Sequence, residues 1–268
     1  MNMLKTNGLL ALVMTGWCVS AQALPYLQLD ISSGIYDTVS EDTVATSNSF
    51  TLYGLINTLG GANGGGGNVT FDQGDDFTIS VAIVGLAQDA TSFGSFSFNG
   101  TTYNNLNQLF WGTPPEILGV DLNGNEPLPP HEIFPAWFAE VLFPLTNPLT
   151  LVNAYNVQTQ PGPVTNSTGT LALISALVDT SGLNAGLSLH FDFYTTRLED
   201  ADGDGDPDRV RDKFAPFSHD ATSCIAGDTN CGGDDLPPER IPEPSAVALL
   251  GIGLLGMGLA RKGRRQVA

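Results

Sequence analysis

Period-two alternation narrows the fold of this chain more than any other feature. Over residues 77–83 the apolar side chains Phe77, Ile79, Val81 and Ile83 share one face. Over residues 187–193 Leu187, Leu189, Phe191 and Phe193 do the same, with Ser188, His190 and Asp192 opposite. Successive side chains of a strand point to opposite faces, so this spacing gives a half-buried strand, whereas on a helix it would scatter apolar groups around the axis. Further strand candidates lie at 26–31, 50–59, 95–103, 133–143, 154–158 and 170–178, separated by turn-rich stretches such as Asn99-Gly100 and Asp121-Leu122-Asn123-Gly124-Asn125. Residues 133–142 also fit a helix, which Pro135 permits only near its first turn. Many short strands without interleaved helices predict an all-β fold, an antiparallel, jelly-roll-like β-sandwich over residues 24–198. The glycine cluster from Gly60 to Gly67 lacks the Gly-Lys-Ser/Thr ending of a phosphate loop and is followed by strand-like residues, so it reads as an inter-strand connection.

The two ends have a different texture. Lys5, an apolar run from Leu9 to Val19 and Ala21-Gln22-Ala23 form the charged, greasy and small-residue parts of a secretory signal peptide over residues 1–23. At the other end Pro242-Glu243-Pro244 precedes an almost uncharged run to Ala260 and then Arg261-Lys262-Gly263-Arg264-Arg265. A helix from Ala246 to Ala260 would be about 22 Å long, short of the ~30 Å hydrocarbon core, so it spans a bilayer only marginally. The basic cluster holds its end in the cytoplasm and leaves Pro242, Glu243 and Pro244 outside. Residues 242–265 thus read as an address with a hydrophobic sorting helix that enters the inner membrane transiently. An ordinary single-pass anchor is the competing reading, and it too leaves the body outside.

Removing both ends sharpens the charge. They hold five of the ten basic residues and one of the 28 acids, so residues 24–241 carry 27 acids against 5 bases, a net of −22. Such a body repels phosphate backbones and anionic lipid, which excludes nucleic acid as a partner class and favours cations.

The densest acidic run is Asp200-Ala201-Asp202-Gly203-Asp204-Gly205-Asp206-Pro207-Asp208, within an acidic loop over residues 199–213. Oxygens at positions one, three and five, glycine at six and an acid at nine are what a calcium loop uses, because calcium takes six to eight hard oxygens. Asp200, Asp202, Asp204 and Asp208 are the expected side-chain ligands, with Asp206 supplying its carbonyl. Position twelve is Arg211 instead of a bidentate Glu, so calcium here should be weakly held, and a merely solvated acidic loop is the alternative. Residues 214–241 are expected to form a stalk in which Cys224 and Cys231 close an eight-residue disulfide loop outside the β-core. Loop entropy would make that bridge contribute about 2.5 kcal/mol.

Catalytic signals are weak, and no catalytic residue is assigned. His131-Glu132 has no second histidine at zinc-protease spacing. Asp179-Thr180-Ser181-Gly182 has serine where the aspartic-protease motif needs glycine, and reads as a turn ending a strand. His190, Asp192 and His219 would make a hydrolase site if the fold converged them; otherwise they tie a loop to the sheet. Trp111, Trp137 and Tyr155 would make a carbohydrate platform if they lined one groove.

Three consecutive features, Pro242-Glu243-Pro244, the Leu/Gly-rich span and the basic end, resemble the PEP-CTERM sorting signal, which implies processing by exosortase, a membrane cysteine protease/transpeptidase. The body resembles exported proteins of the choice-of-anchor kind, through the runs from Leu24 to Ile31, from Phe50 to Tyr53, from His190 to Tyr194 and from Phe214 to Asp220. Asp200 to Asp208 resembles the aspartate-rich repeats of thrombospondin type 3. Together these imply a non-enzymatic surface or matrix protein associated with extracellular polysaccharide or biofilm. A secreted carbohydrate-binding module is the alternative, and behind it a secreted hydrolase.

Overall fold

Sixteen strands and one short 3-10 turn are described in the computed structural model, which covers residues 24–62, 68–72, 74–114, 133–145, 148–159, 168–199, 208–216 and 219–225. In chain order the strands are β1 (Leu27–Ile31), β2 (Ile35–Asp37), β3 (Asp42–Val44), β4 (Ser49–Asn57), β5 (Gly61–Ala62), β6 (Asn68–Val69), β7 (Asp76–Val84) and β8 (Phe96–Phe98). They continue with β9 (Thr101–Tyr103), β10 (Phe110–Gly112), β11 (Ala136–Phe143), β12 (Leu151–Val152), β13 (Leu171–Asp179), β14 (Ser188–Glu199), β15 (Asp208–Phe214) and β16 (Asp220–Thr222). The signal peptide, the segment from Asp200 to Pro207, Cys231 and the whole of residues 226–268, with Pro242, Glu243 and Pro244, lie outside the described residues.

Two sheets carry the fold. One has the order β1-β4-β13-β8-β9, with β12 also on β13; the other runs β10-β11-β7-β14-β16-β3-β2, with β15 also on β14. The alternating residues of β7 and β14 face inward as their pattern demands: Phe77, Ile79, Val81, Ile83, Leu189, Phe191 and Phe193 are all at most 1% exposed and share one core with Leu27, Leu29, Ile31, Leu52 and Phe98. Phe191 meets Phe50 edge-on at 6.1 Å and Phe98 at 6.0 Å, aromatic contacts across the two sheets. This is a β-sandwich, with one departure from the antiparallel expectation. β16 pairs with β3 in parallel, so the second sheet is mixed.

Local chemistry sets several boundaries. Asn99 (φ 49°) and Gly100 (φ 80°) form a two-residue turn with Phe98 opposite Thr101, the conformation that Asn-Gly supplies most readily between twisted strands. Residues 136–143 are strand, which resolves the helix-or-strand ambiguity: Pro135 lacks an N–H and stands just before the first ladder position of β11. β5 and β6 pair across the glycine cluster, as an inter-strand connection requires.

The boundary expected at residue 198 needs correction. β14 extends to Glu199, β15 returns along it, and β16 inserts between β14 and β3, so residues 214–216 and 219–224 belong to the sandwich and are not a stalk. Cys224 is likewise 7% exposed within the main core, with its thiol against the Ala45 carbonyl, whereas the sequence placed it outside. Hydrophobic patterning missed this because a three-residue strand is too short to show a period. If Cys224 pairs with Cys231, the bridge is anchored in the core, and non-reducing peptide mapping of the exported protein should yield the linked peptide; two alkylated thiols would exclude it.

Gly54 marks the closest approach inside the sandwich. A Cβ there would stand 2.6 and 2.8 Å from Ile174 side-chain carbons and 3.2 Å from the Phe193 ring. Gly54→Ala is expected to cost about 1–3 kcal/mol by overpacking. Ile174→Val in the same chain should recover part of it, read as a non-additive double-mutant cycle in urea unfolding; strict additivity would mean that the strain lies elsewhere.

Candidate metal centre and sorting signal

The outer face of the mixed sheet carries an unusual polar row. Paired residues on neighbouring strands project to the same face, and the registers Glu140↔Ser80, Ser80↔Asp192, Asp192's antiparallel neighbour Asp220, and Asp220↔Asp42 line up acids and a serine across β11, β7, β14, β16 and β3. His190, two residues before Asp192 on β14, joins the row from the adjacent level. Alternation placed His190 and Asp192 on this non-core face. The structure nevertheless buries them: His190 is 1% exposed, Asp192 2% and Asp220 2%.

The ligand-type atoms of His190, Asp192 and Asp220 lie within 4.8 Å of one another, so this group can hold a metal ion. His190 Nε2 stands 3.4 Å from Asp192 Oδ1. Ser80 Oγ donates to the other oxygen of the same carboxylate, Oδ2, at 2.8 Å, which fixes the carboxylate's orientation. Burial raises the Asp220 carboxyl well above its ordinary range, and the charges of Asp192 and Asp42 raise it further. Asp42 is pushed up to about 6, first by burial, with His190 opposing and Asp192 adding. For His190 burial disfavours the charged ring, but Asp192 and Asp42 outweigh it and the net shift is upward.

His219 does not join this group. Its Nε2 lies 3.2 Å from Asn156 Oδ1, in the loop that follows β12, and burial alone lowers it to about 4, so the ring is neutral at physiological pH. The hydrolase constellation of His190, Asp192 and His219 is therefore divided between two environments, and His219 takes the loop-tying role. Sequence reasoning named His190 and Asp192 but missed Asp220 and Asp42 as their companions, because the parallel β3–β16 pair is visible only once the chain has folded.

The remaining candidates are more simply placed. The Ser181 hydroxyl first, and then the Ser181 N–H at 2.9 Å, donate to Asp179 and lower its exposed carboxyl as a turn-capping acid. Trp111 and Trp137 face each other edge-on at 5.5 Å on β10 and β11, half-buried, with Trp137 Nε1 donating to the Ala87 carbonyl. Tyr155 is 6% exposed, its hydroxyl donating to Asp30 Oδ2 at 2.7 Å, so it presents no stacking face alongside them. Of the proposed calcium ligands, Asp200, Asp202, Asp204 and Asp206 lie outside the described residues. Asp208 begins β15, opposite Glu199, so the aspartate run joins the paired ends of β14 and β15.

Among the described residues no helix is long and apolar enough to cross a membrane. Neither the curated proteins nor the solved structures contain a match to the chain. The family comparison does find one: residues 240–265 match the PEP-CTERM protein-sorting motif. The match spans Pro242, Glu243 and Pro244, the apolar run and the basic end, the three features that set this segment apart from the β-sandwich. The chain therefore carries a PEP-CTERM sorting signal, which marks it as an exported protein sorted to the cell surface as a substrate of exosortase.

Proposed function

We propose that this protein is a non-enzymatic component of the cell surface or extracellular matrix, associated with exopolysaccharide or biofilm, whose β-sandwich is the delivered cargo and whose residues 242–265 are the delivery signal. The sorting motif at residues 240–265 carries this reading. The burial of His190, Asp192 and Asp220 supports a structural role over hydrolysis, since a polymeric substrate needs an open cleft to reach an acid or base. The net charge of −22 over residues 24–241 suits a hydrated, cation-rich matrix, and the likeness to choice-of-anchor exported proteins points the same way. Calcium on the aspartates between Asp200 and Asp208 fits such a setting at Kd values on the order of 10⁻⁴ to 10⁻³ M.

The test is fractionation of the producing bacterium with and without its exosortase. In the parent the protein belongs in the surface or matrix fraction, processed at its C-terminal end. Without exosortase it should remain unprocessed in the inner-membrane fraction, and matrix mass or cohesion should fall. An unchanged distribution in the exosortase-deficient strain would overturn the reading, and turnover of a polysaccharide by the purified protein would replace it with the hydrolase.

A further inference from the structure

We infer that His190, Asp192 and Asp220 bind one divalent transition-metal ion of the zinc or manganese class, and that this ion fastens β16 to β14 inside the sandwich.

Donor chemistry selects the class of ion. Calcium and magnesium take oxygen ligands, whereas a set with one imidazole nitrogen and two carboxylates suits borderline first-row cations. Geometry agrees with a small ion. Two ligands on a tetrahedral centre with bonds of ~2.1 Å stand about 3.4 Å apart, and His190 Nε2 and Asp192 Oδ1 are separated by 3.4 Å. All three ligand atoms lie within 4.8 Å of one another, so small rotations of the Asp220 carboxylate complete the set.

The surroundings are arranged as metal-ligand surroundings are. Ser80 engages Asp192 Oδ2, which leaves Oδ1 on the His190 side. Outer contacts of this kind orient ligands, and their removal typically costs 10–100-fold in metal affinity. Asp42 sits beside Asp220 on β3, close enough to influence both Asp220 and His190, and adds negative charge at the same point. Three carboxylates concentrated in a buried row repel one another, and a dication relieves that repulsion more fully than one proton can.

The structural consequence follows from where the ligands sit. His190 and Asp192 belong to the long central strand β14, but Asp220 comes from β16, whose ladder to β14 is only two residue pairs, His190↔Thr222 and Phe191↔Ala221. An ion shared by the two strands cross-links the last described strand to the middle of the sheet. The polypeptide that leads to the sorting signal then departs from a strand pinned by the ion as well as by its hydrogen bonds to β14 and β3.

The untagged exported protein, purified from its native host without chelator, should carry about one transition-metal ion per chain by inductively coupled plasma mass spectrometry. After chelator treatment, zinc at 100 times its dissociation constant should raise the melting temperature by about 5–10 °C. Asp220→Asn, an isosteric change, should abolish that shift. Ser80→Ala should weaken zinc binding about 10–100-fold in direct titration of the folded, metal-free protein, a readout of ligand orientation separate from the stability that the lost buried hydrogen bond itself costs. Metal-free protein that does not respond to zinc or manganese, with Asp220→Asn raising its melting temperature, would identify a proton-neutralised cluster and overturn the inference. Stabilisation by calcium alone, retained in Asp220→Asn, would place the ion on the aspartates between Asp200 and Asp208 and overturn it equally. Neither result bears on sorting by residues 242–265, which the fractionation experiment tests separately.

Discussion

Deleting residues 242–265 is expected to abolish delivery to the cell surface and release a folded, soluble body into the periplasm or medium. The physical basis is a separation of roles along the chain. Among the described residues the last one in the main hydrophobic core is Cys224, and the sorting motif begins at residue 240. The apolar run from Ala246 to Ala260 would as a helix be only about 22 Å long, which suits brief retention in a ~30 Å bilayer core. Removing it takes away membrane affinity and is expected to leave the described core intact. The melting temperature of the released body should match that of the processed protein, because surface changes away from the core stay within about 0.5 kcal/mol. Cell fractionation followed by circular-dichroism melting measures both parts. A truncated chain that aggregates would make the tail part of the fold, and one that still reaches the surface would place the address elsewhere.

Lys213→Met should be the most damaging conservative-volume change in the described body, costing about 3–5 kcal/mol, or on the order of 10 °C in melting temperature. Residues 24–241 have 5 bases for 27 acids, so a buried base needs a specific reason. Lys213 supplies one: its Nζ lies 2.6 Å from Asp75 Oδ2, with the two side chains only 10% and 7% exposed. The same ammonium sits 5.4 Å from the centre of the Tyr26 ring, and the Tyr26 hydroxyl donates to Asp75 Oδ2 at 3.4 Å. Burial first, and then the Asp75 charge, hold the Tyr26 phenol above its ordinary range, so it remains a donor at physiological pH. The cluster joins the residue before β1, the residue before β7 and the end of β15, thereby clamping one end of the sandwich. Methionine would fill the space of the lysine stem and leave Asp75 a buried carboxylate deprived of its cation, which is the costly arrangement. Adding Asp75→Asn should recover most of the loss. If Lys213→Met alone changes stability by less than 1 kcal/mol in urea unfolding, Asp75 reaches solvent and the clamp is not structural.

Particular residues show what could be read before folding. Alternation at Phe77, Ile79, Val81 and Ile83 and at Leu189, Phe191 and Phe193 assigned the inner face correctly, because a period of two is a property of the strand itself. Asn99-Gly100 fixed its turn for an equally local reason, the tolerance of both residues for positive φ. Pro242, Glu243, Pro244 and the apolar and basic stretches after them needed no fold at all, since a processing enzyme reads them along the chain.

Tertiary structure alone decided the rest. The pattern that put His190 and Asp192 on the non-core face carried no information about what covers that face, and burial turned two ordinary polar residues into part of a metal-competent group. Asp220 and Asp42 are far apart in sequence and become neighbours only through the parallel pairing of β16 with β3, a contact whose strands are too short to announce themselves. The same insertion drew Cys224 into the core and carried the sandwich beyond residue 198. Local sequence sets which way each side chain points, whereas the order of strands in a sheet depends on closing long loops against the gain from a shared core. That balance is struck by the whole chain, and it determined which acids stand together around His190.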